Sequence, residues 1–151
     1  MGGAGKSGSL ALAAARQAGA GLTVGVVPHR LEAELLESAG VADVVVVADA
    51  RDPVALRSAV ESAAPDRAHV TVVCVDVPGC EGGAVLATRD GGTIIFFSMA
   101  TSFSAAALGA EGLAADVTML VGNGYVPGHA DYALSLLRSE PGVRGLFERR
   151  L

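Results

Sequence analysis

Five short apolar runs punctuate the chain, and none of them alternates polar with apolar residues. Thr23 to Val27 reads TVGVV, Val44 to Val47 is four valines, and Val70 to Val75 reads VTVVCV. Thr93 to Phe97 reads TIIFF, and Val117 to Val121 reads VTMLV. A strand covered on one face alternates; a strand covered on both faces reads as a continuous apolar run, as in a parallel sheet flanked by helices. Between the runs, apolar residues recur at helical spacing. Ser9 to Ala18 is an Ala/Leu helix closed by Gly19, and Leu31, Leu35, Leu36 and Ala39 form one face ended by Gly40. Asp52-Pro53 is a cap followed by proline at the first helical position, with Leu56, Ala59, Val60 and Ala63 at i, i+3, i+4 and i+7. A later helix is predicted over His129 to Ser139, before Pro141, and a last short one holds Val143, Leu146 and Phe147. The order is helix, then β-α-β-α-β-α-β-α-β. Right-handed crossovers turn that order into an α/β fold with a doubly wound parallel sheet.

Composition sharpens this picture. Ala, Gly and Val make up 68 of 151 residues, Trp is absent and aromatics are 4%, so the core must be aliphatic and its layers close. Hydrophobic residues at 51% and charged residues at 18% exclude a disordered chain. The net charge is −5 and the basic residues are scattered singly, so no nucleic-acid partner is expected. No apolar run reaches the roughly 18 residues of a membrane span, and the start MGGAGKSG lacks the order of a signal peptide. A cytoplasmic protein is therefore expected. Cys74 and Cys80 are the only cysteines, too few for a disulfide framework or a metal site. Cys74 lies in an apolar run and reads as core; Cys80 follows a Pro-Gly turn and reads as exposed.

The chemistry begins at the amino terminus. Gly3-Ala4-Gly5-Lys6-Ser7-Gly8 fits G-x-G-x-x-G at the opening of a helix, the fingerprint of a Rossmann-like dinucleotide site. Gly3 would make the tight turn, Gly5 would let a pyrophosphate approach the backbone, and Gly8 would let helix pack on strand. The helix N-terminus adds unpaired N–H groups, so Gly3, Gly5, Lys6, Ser7 and Gly8 are assigned to the cofactor phosphates. Only Met1 precedes the glycines, whereas in this fold they follow the first, central strand. Either the chain is a fragment or the sheet has lost its central strand; the 1–151 segment is expected to be a dinucleotide-binding domain and a fragment of a longer chain, because a hole in the sheet would expose two edges. Gly5-Lys6-Ser7 also matches the end of a P-loop, which leaves a P-loop nucleotide enzyme as a rival. A non-catalytic dinucleotide-sensing module is a second alternative.

The second strand ends Val27-Pro28-His29-Arg30, without the carboxylate that commonly holds a ribose 2′-OH. Arg30, with His29, permits a 2′-phosphate, so the cofactor is NAD or NADP. Asp49 and Ala50 stand where an adenine pocket is often walled, or else form the turn before the Asp52 cap.

The second half carries a more specific signal. FFSMATSFSAAALGAEG (Phe96 to Gly112), DVTMLVGNGYVPGH (Asp116 to His129), GGAGKSG at the start and VTVVCVDVPGCE (Val70 to Glu81) together resemble the L-erythro-3,5-diaminohexanoate dehydrogenases of lysine fermentation. Members of that family carry an N-terminal catalytic domain and a first strand ahead of the glycine loop. The resemblance implies a small diamino acid substrate and oxidative deamination of its 3-amino group to 5-amino-3-oxohexanoate, with NAD(P)H and ammonia as products. Ligands of doubly wound sheets bind beyond the carboxyl ends of the strands. Asp76 and Val77 follow one strand, Ser98 and Thr101 the next, and Asn123 the last. Val77 is assigned to the cofactor. Asn123 is assigned to the carboxamide or substrate carboxylate, or else to a turn between its glycines. Ser98 and Thr101 would donate to nicotinamide or substrate, Asp76 would steady an ammonium or cap a turn, and His129 would handle the proton or merely begin a helix. Lys6, the only lysine, reads as a phosphate contact or a solvated charge. A homo-oligomer is expected, because an unpaired sheet edge encourages association.

Overall fold

A computed structural model describes residues 1–121 and 126–149. In chain order its elements are α1 (Lys6–Gln17), β1 (Val24–Val27), α2 (Arg30–Ala39), β2 (Val44–Val47), α3 (Pro53–Ala63), β3 (Ala68–Val73), α4 (Glu81–Ala87), β4 (Thr88–Phe96), α5 (Phe103–Gly112), β5 (Val117–Val121), α6 (His129–Ser139) and α7 (Pro141–Glu148). The expected alternation is present, and every strand pairing is parallel. This is the α/β, Rossmann-like class. The strands form two ladders, β1-β2 and β3-β4-β5, rather than one sheet. Correspondingly the chain divides into two compact units, one of Gly2–Val47 with Gly124–Leu151, the other of Met1 with Ala48–Asn123.

The first of these units holds the glycine turn. Its core gathers Ala4 of the turn with Ala13, Val27, Ala33, Leu36, Val143 and Leu146 from α1, β1, α2 and α7. Leu36 is fully buried, which contributes about 2 kcal/mol by transfer of its side chain from water. Register between β1 and β2, Val24 opposite Val44, is set by a polar clip at their starts. The Thr23 amide and hydroxyl both donate to Asp43 Oδ2 at 2.7 Å, and the Asp43 amide donates to Thr23 Oγ1 at 3.1 Å. α7 approaches α2 closely because Gly142 has no side chain; a Cβ there would lie 1.9 Å from the Ala39 carbonyl oxygen.

The other unit is built on β3-β4-β5, with Val73, Ala84, Val85, Ile94, Phe96 and Ala106 at its core. Asp52 caps α3 by accepting from the Ala55 amide at 3.0 Å, as its sequence announces. α4 comes close to the Ala50 turn because Gly83 is bare: a Cβ there would meet the Ala50 oxygen at 2.6 Å and Leu56 Cδ2 at 2.9 Å. Thr71 and Thr88 bridge β3 and β4 through a buried hydroxyl pair 2.7 Å apart. Met1 extends the ladder at β3, its amino group donating to Val72 O at 2.7 Å and its carbonyl accepting from the Cys74 amide at 3.1 Å.

Two expectations need correction. β4 starts at Thr88 rather than Thr93, because Thr88 pairs with Ala68 before a register shift and carries the polar Arg89–Gly92 stretch into the ladder. Continuous apolar runs also do not guarantee cover on both faces. β1 is buried from Gly25 to Val27, whereas Leu120 and Val121 of β5 are about half exposed, since β5 pairs only with β4 among the described residues.

Candidate functional site

The glycine turn is resolved into distinct jobs. Gly2 has φ +79°, a left-handed conformation that only glycine adopts cheaply, and its carbonyl accepts from the Gly5 amide at 3.0 Å to close the turn. The tight turn thus rests on Gly2, not Gly3 as the fingerprint suggested. Gly3 instead provides close approach: a Cβ there would meet Leu36 Cδ2 at 2.8 Å and the Gly25 Cα at 3.2 Å. Gly8, expected to let helix pack on strand, instead lets α1 pack on the turn itself, since a Cβ would fall 2.0 Å from the Gly2 oxygen. The Gly2 and Gly3 amides both donate to Val26 O at 2.9 and 3.1 Å, which pins the turn to the end of β1.

α1 opens from this turn with glycine at its N-cap, no side-chain cap and no acidic residue in its first turn. The Lys6 and Ser7 amides therefore present their N–H groups at a helix end carrying partial positive charge. A chemically bare, positive N-terminus behind a glycine turn fits a dinucleotide diphosphate. The Lys6 ammonium lies 5.7 Å from the centroid of the Phe147 ring, a cation–π contact with α7. Ser7 is exposed in the first turn.

At the end of β1, Arg30 is the first residue of α2 and lies over the exposed carboxylates of Glu34 and Glu37, at 3.3 and 3.7 Å. Its charge is thus partly matched on its own helix. His129 begins α6, with Nδ1 2.7 Å from the Val126 carbonyl oxygen. A carbonyl only accepts, so Nδ1 carries the hydrogen and Nε2 is the basic nitrogen.

The remaining assigned residues lie in the other unit. Asp49 is held by Arg51, whose Nε and Nη2 donate to its two oxygens at 3.0 and 2.8 Å. Hydrogen bonding and the adjacent Asp49 charge push the Arg51 pKa up. Together with the Arg51 amide on Oδ1 at 2.9 Å, this makes Asp49-Ala50 an ordered turn ahead of the Asp52 cap. Asp76 and Val77 are exposed beyond β3, and the Asp76 carboxylate has no partner among the described residues. Ser98 and Thr101, both half-buried, share a turn beyond β4. The Thr101 amide donates to Ser98 O at 3.4 Å, and the Ala100 amide to Ser98 Oγ at 3.1 Å, and the Ser98 hydroxyl donates to no acceptor among the described residues. Asn123 lies outside the described residues.

Cys80 proves buried, not exposed, because its thiol turns inward to donate to Val77 O at 3.2 Å. Burial pushes its pKa up, reinforced by the negative charges of Glu81 and Asp49. Three participants escaped sequence reasoning. Gly2 was hidden by its glycine neighbour, though a Gly-Gly pair leaves either residue free to take positive φ. Phe147 read only as a residue of the last short helix. Glu81 drew notice only as the end of the VTVVCVDVPGCE segment, yet it is 5% exposed and its Oε1 accepts from the Ser102 amide at 2.6 Å.

A parallel α/β scaffold with a bare glycine turn feeding a helix N-terminus belongs to the Rossmann-like fold class. More specific similarity follows from comparison with known proteins. The chain is 42% identical over 153 residues to an L-erythro-3,5-diaminohexanoate dehydrogenase of Acetoanaerobium sticklandii, an alignment covering 99% of this chain and 44% of that protein. It is 41% identical over 150 residues to the protein of the same name from Fusobacterium nucleatum subsp. nucleatum, covering 97% of this chain and 44% of the relative. The chain thus spans less than half the length of the curated relatives it matches. No protein-family model matches it. No helix among the described residues is long and apolar enough to cross a membrane.

Proposed function

We propose that this chain is the dinucleotide-binding part of a cytoplasmic NAD(P)-dependent 3,5-diaminohexanoate dehydrogenase, one domain of a longer enzyme. The observation that carries the reading is the 42% identity sustained over 99% of the chain, glycine turn included. The exposed edge strand β5 supports self-association.

The coenzyme would supply a hydride acceptor, which is the hard part of an amine oxidation. The glycine turn and the Lys6 and Ser7 amides would hold its diphosphate. Arg30 and His29 follow β1 and would face the ribose, so both NAD and NADP remain cofactors of this reading. Beyond the diphosphate, the chain's own work is proton handling and orientation. An amine gives up hydride from its carbon only when nitrogen is neutral, because its lone pair must form the C=N bond as hydride leaves. His129, with Nε2 basic, would take the ammonium proton. Asp76 would steady the substrate's charged nitrogen, while the Ser98 and Thr101 hydroxyls would orient the reacting carbon against the nicotinamide. Water then adds to the imine carbon, and ammonia leaves to give the ketone.

The test uses the intact protein. It is mixed with L-erythro-3,5-diaminohexanoate and either NAD or NADP, and absorbance of the reduced coenzyme is followed. Formation of reduced coenzyme together with ammonia is expected. A protein that binds NADH but turns over no diaminohexanoate would instead be the sensing module. One that binds ATP and not NADH would be the P-loop enzyme.

A further inference from the structure

Glu81 is a carboxylate buried at the first position of α4, and no step above uses it. Withdrawing a charge from water is costly unless strong hydrogen bonds replace the lost solvation. Here the replacement is a short bond: Oε1 accepts from the Ser102 amide at 2.6 Å. That amide belongs to the loop after β4, whereas Glu81 belongs to the segment after β3. The bond therefore ties together the two loops that carry Asp76 and Val77 on one side and Ser98 and Thr101 on the other.

Ser102 is a junction. Its hydroxyl accepts from the Ala105 amide at 3.3 Å and caps α5, while its backbone follows the turn closed by the Thr101 amide on Ser98 O at 3.4 Å. Fixing the Ser102 amide fixes where α5 starts and where the turn before it ends. Without Glu81, the hydrogen bonds that hold the Ser98 turn among the described residues are the long 3.4 Å contact and the Ala100 bond to Ser98 Oγ. Small displacements of a reacting group are expensive in rate, on the order of a hundredfold for a misplacement of about 1 Å.

We propose that Glu81 is a positioning residue for the deamination: by holding the Ser102 amide it sets the Ser98 and Thr101 hydroxyls for substrate. This rests on the function proposed above. The task needs an acceptor of glutamate length and not a charge, and that requirement separates it from an electrostatic role.

The experiment compares Glu81→Gln, Glu81→Asp and Glu81→Ala in the full-length enzyme, measuring kcat, KM for 3,5-diaminohexanoate and the Kd of NADH. Glu81→Gln keeps the acceptor and should retain kcat within about threefold. Glu81→Asp keeps the charge but shortens the reach, and should lose kcat by about 10- to 100-fold with NADH Kd unchanged, as should Glu81→Ala. In a Ser98→Ala background, Glu81→Asp should cost far less than in the wild type, since its target is gone. Full activity in Glu81→Asp, or Glu81→Gln as impaired as Glu81→Asp, overturns the proposal. Should Glu81→Ala fail to fold, the Asp and Gln pair still decides. The underlying reading fails separately: a wild-type enzyme inert toward 3,5-diaminohexanoate, or Ser98→Ala and Thr101→Val at full kcat, sinks that reading and this proposal with it. Impaired Ser98→Ala beside an unimpaired Glu81→Asp sinks the Glu81 proposal alone.

Discussion

Replacing Gly8 with alanine adds one methyl group, and two opposed effects decide the outcome. Alanine favours a helix interior over glycine by about 1 kcal/mol, through reduced backbone freedom in the unfolded chain. The new Cβ, however, would sit 2.0 Å from the Gly2 oxygen and 2.7 Å from the Gly2 carbonyl carbon. Both are backbone atoms, so no flexible side chain can swing away. To reach ordinary contact the helix start and the turn must separate by more than ~1 Å, with an overpacking cost of about 1–3 kcal/mol. The same oxygen closes the turn by accepting from the Gly5 amide at 3.0 Å, so displacement adds about 1 kcal/mol for the strained bond. The expected net result for Gly8→Ala is a loss of about 1–3 kcal/mol. Gly145→Ala is the control. It lies inside α7 in the same unit, a Cβ there meets nothing within 4 Å, and the variant should gain about 0.5–1 kcal/mol. Urea unfolding followed by circular dichroism measures both, provided the m-value stays constant. Binding of NADH, followed by its fluorescence, should weaken in Gly8→Ala and not in Gly145→Ala. A Gly8→Ala protein as stable as Gly145→Ala would refute the assigned packing of α1 on the turn.

Three further outcomes follow from the other polar contacts. Thr88 donates to the Ala84 carbonyl at 2.7 Å, so the proton in the 2.7 Å Thr71–Thr88 pair comes from Thr71; Thr88→Val should cost about 1–3 kcal/mol and Thr71→Val less, with the double variant costing less than their sum by urea unfolding. The Thr23 hydroxyl and amide hold the Asp43 pKa below 3.8, so this interaction stabilises the fold above the ordinary carboxylate range and is lost as pH falls through the lowered value; Thr23→Val should move the Asp43 titration, read by carboxyl NMR, back up toward 3.8. Burial pushes both thiols up, Cys80 with help from Glu81 and Asp49, so neither should react with iodoacetamide in the native protein at pH 7.5 and both should react in urea; rapid native labelling of Cys80 would contradict its inward donation to Val77.

The scaffold was far more legible in the sequence than the site, for a physical reason. Apolar periodicity and caps are local: four valines make β2, Asp52-Pro53 starts α3, and His129 to Ser139 is helical as predicted. Burial of a polar group depends instead on residues distant along the chain. Glu81 is buried because the Ser102 amide, in a loop beyond another strand, meets its carboxylate. Asp49, placed beside an adenine pocket on position alone, is clasped by Arg51, and Lys6 reaches Phe147 near the opposite end of the chain. The glycine turn lies between these extremes. Its spacing announced a backbone that must come close to something, yet only the carbonyl of Gly2 shows which glycine bears the left-handed turn and which keep the helix and strand in contact. Spacing specifies that side chains must be absent; it does not specify which neighbour each absence admits. The same distinction governs the amide groups of Lys6 and Ser7: an uncapped helix start without acidic residues is readable from the sequence, but its worth to a diphosphate depends on the turn that the Gly2–Gly8 contact holds in place.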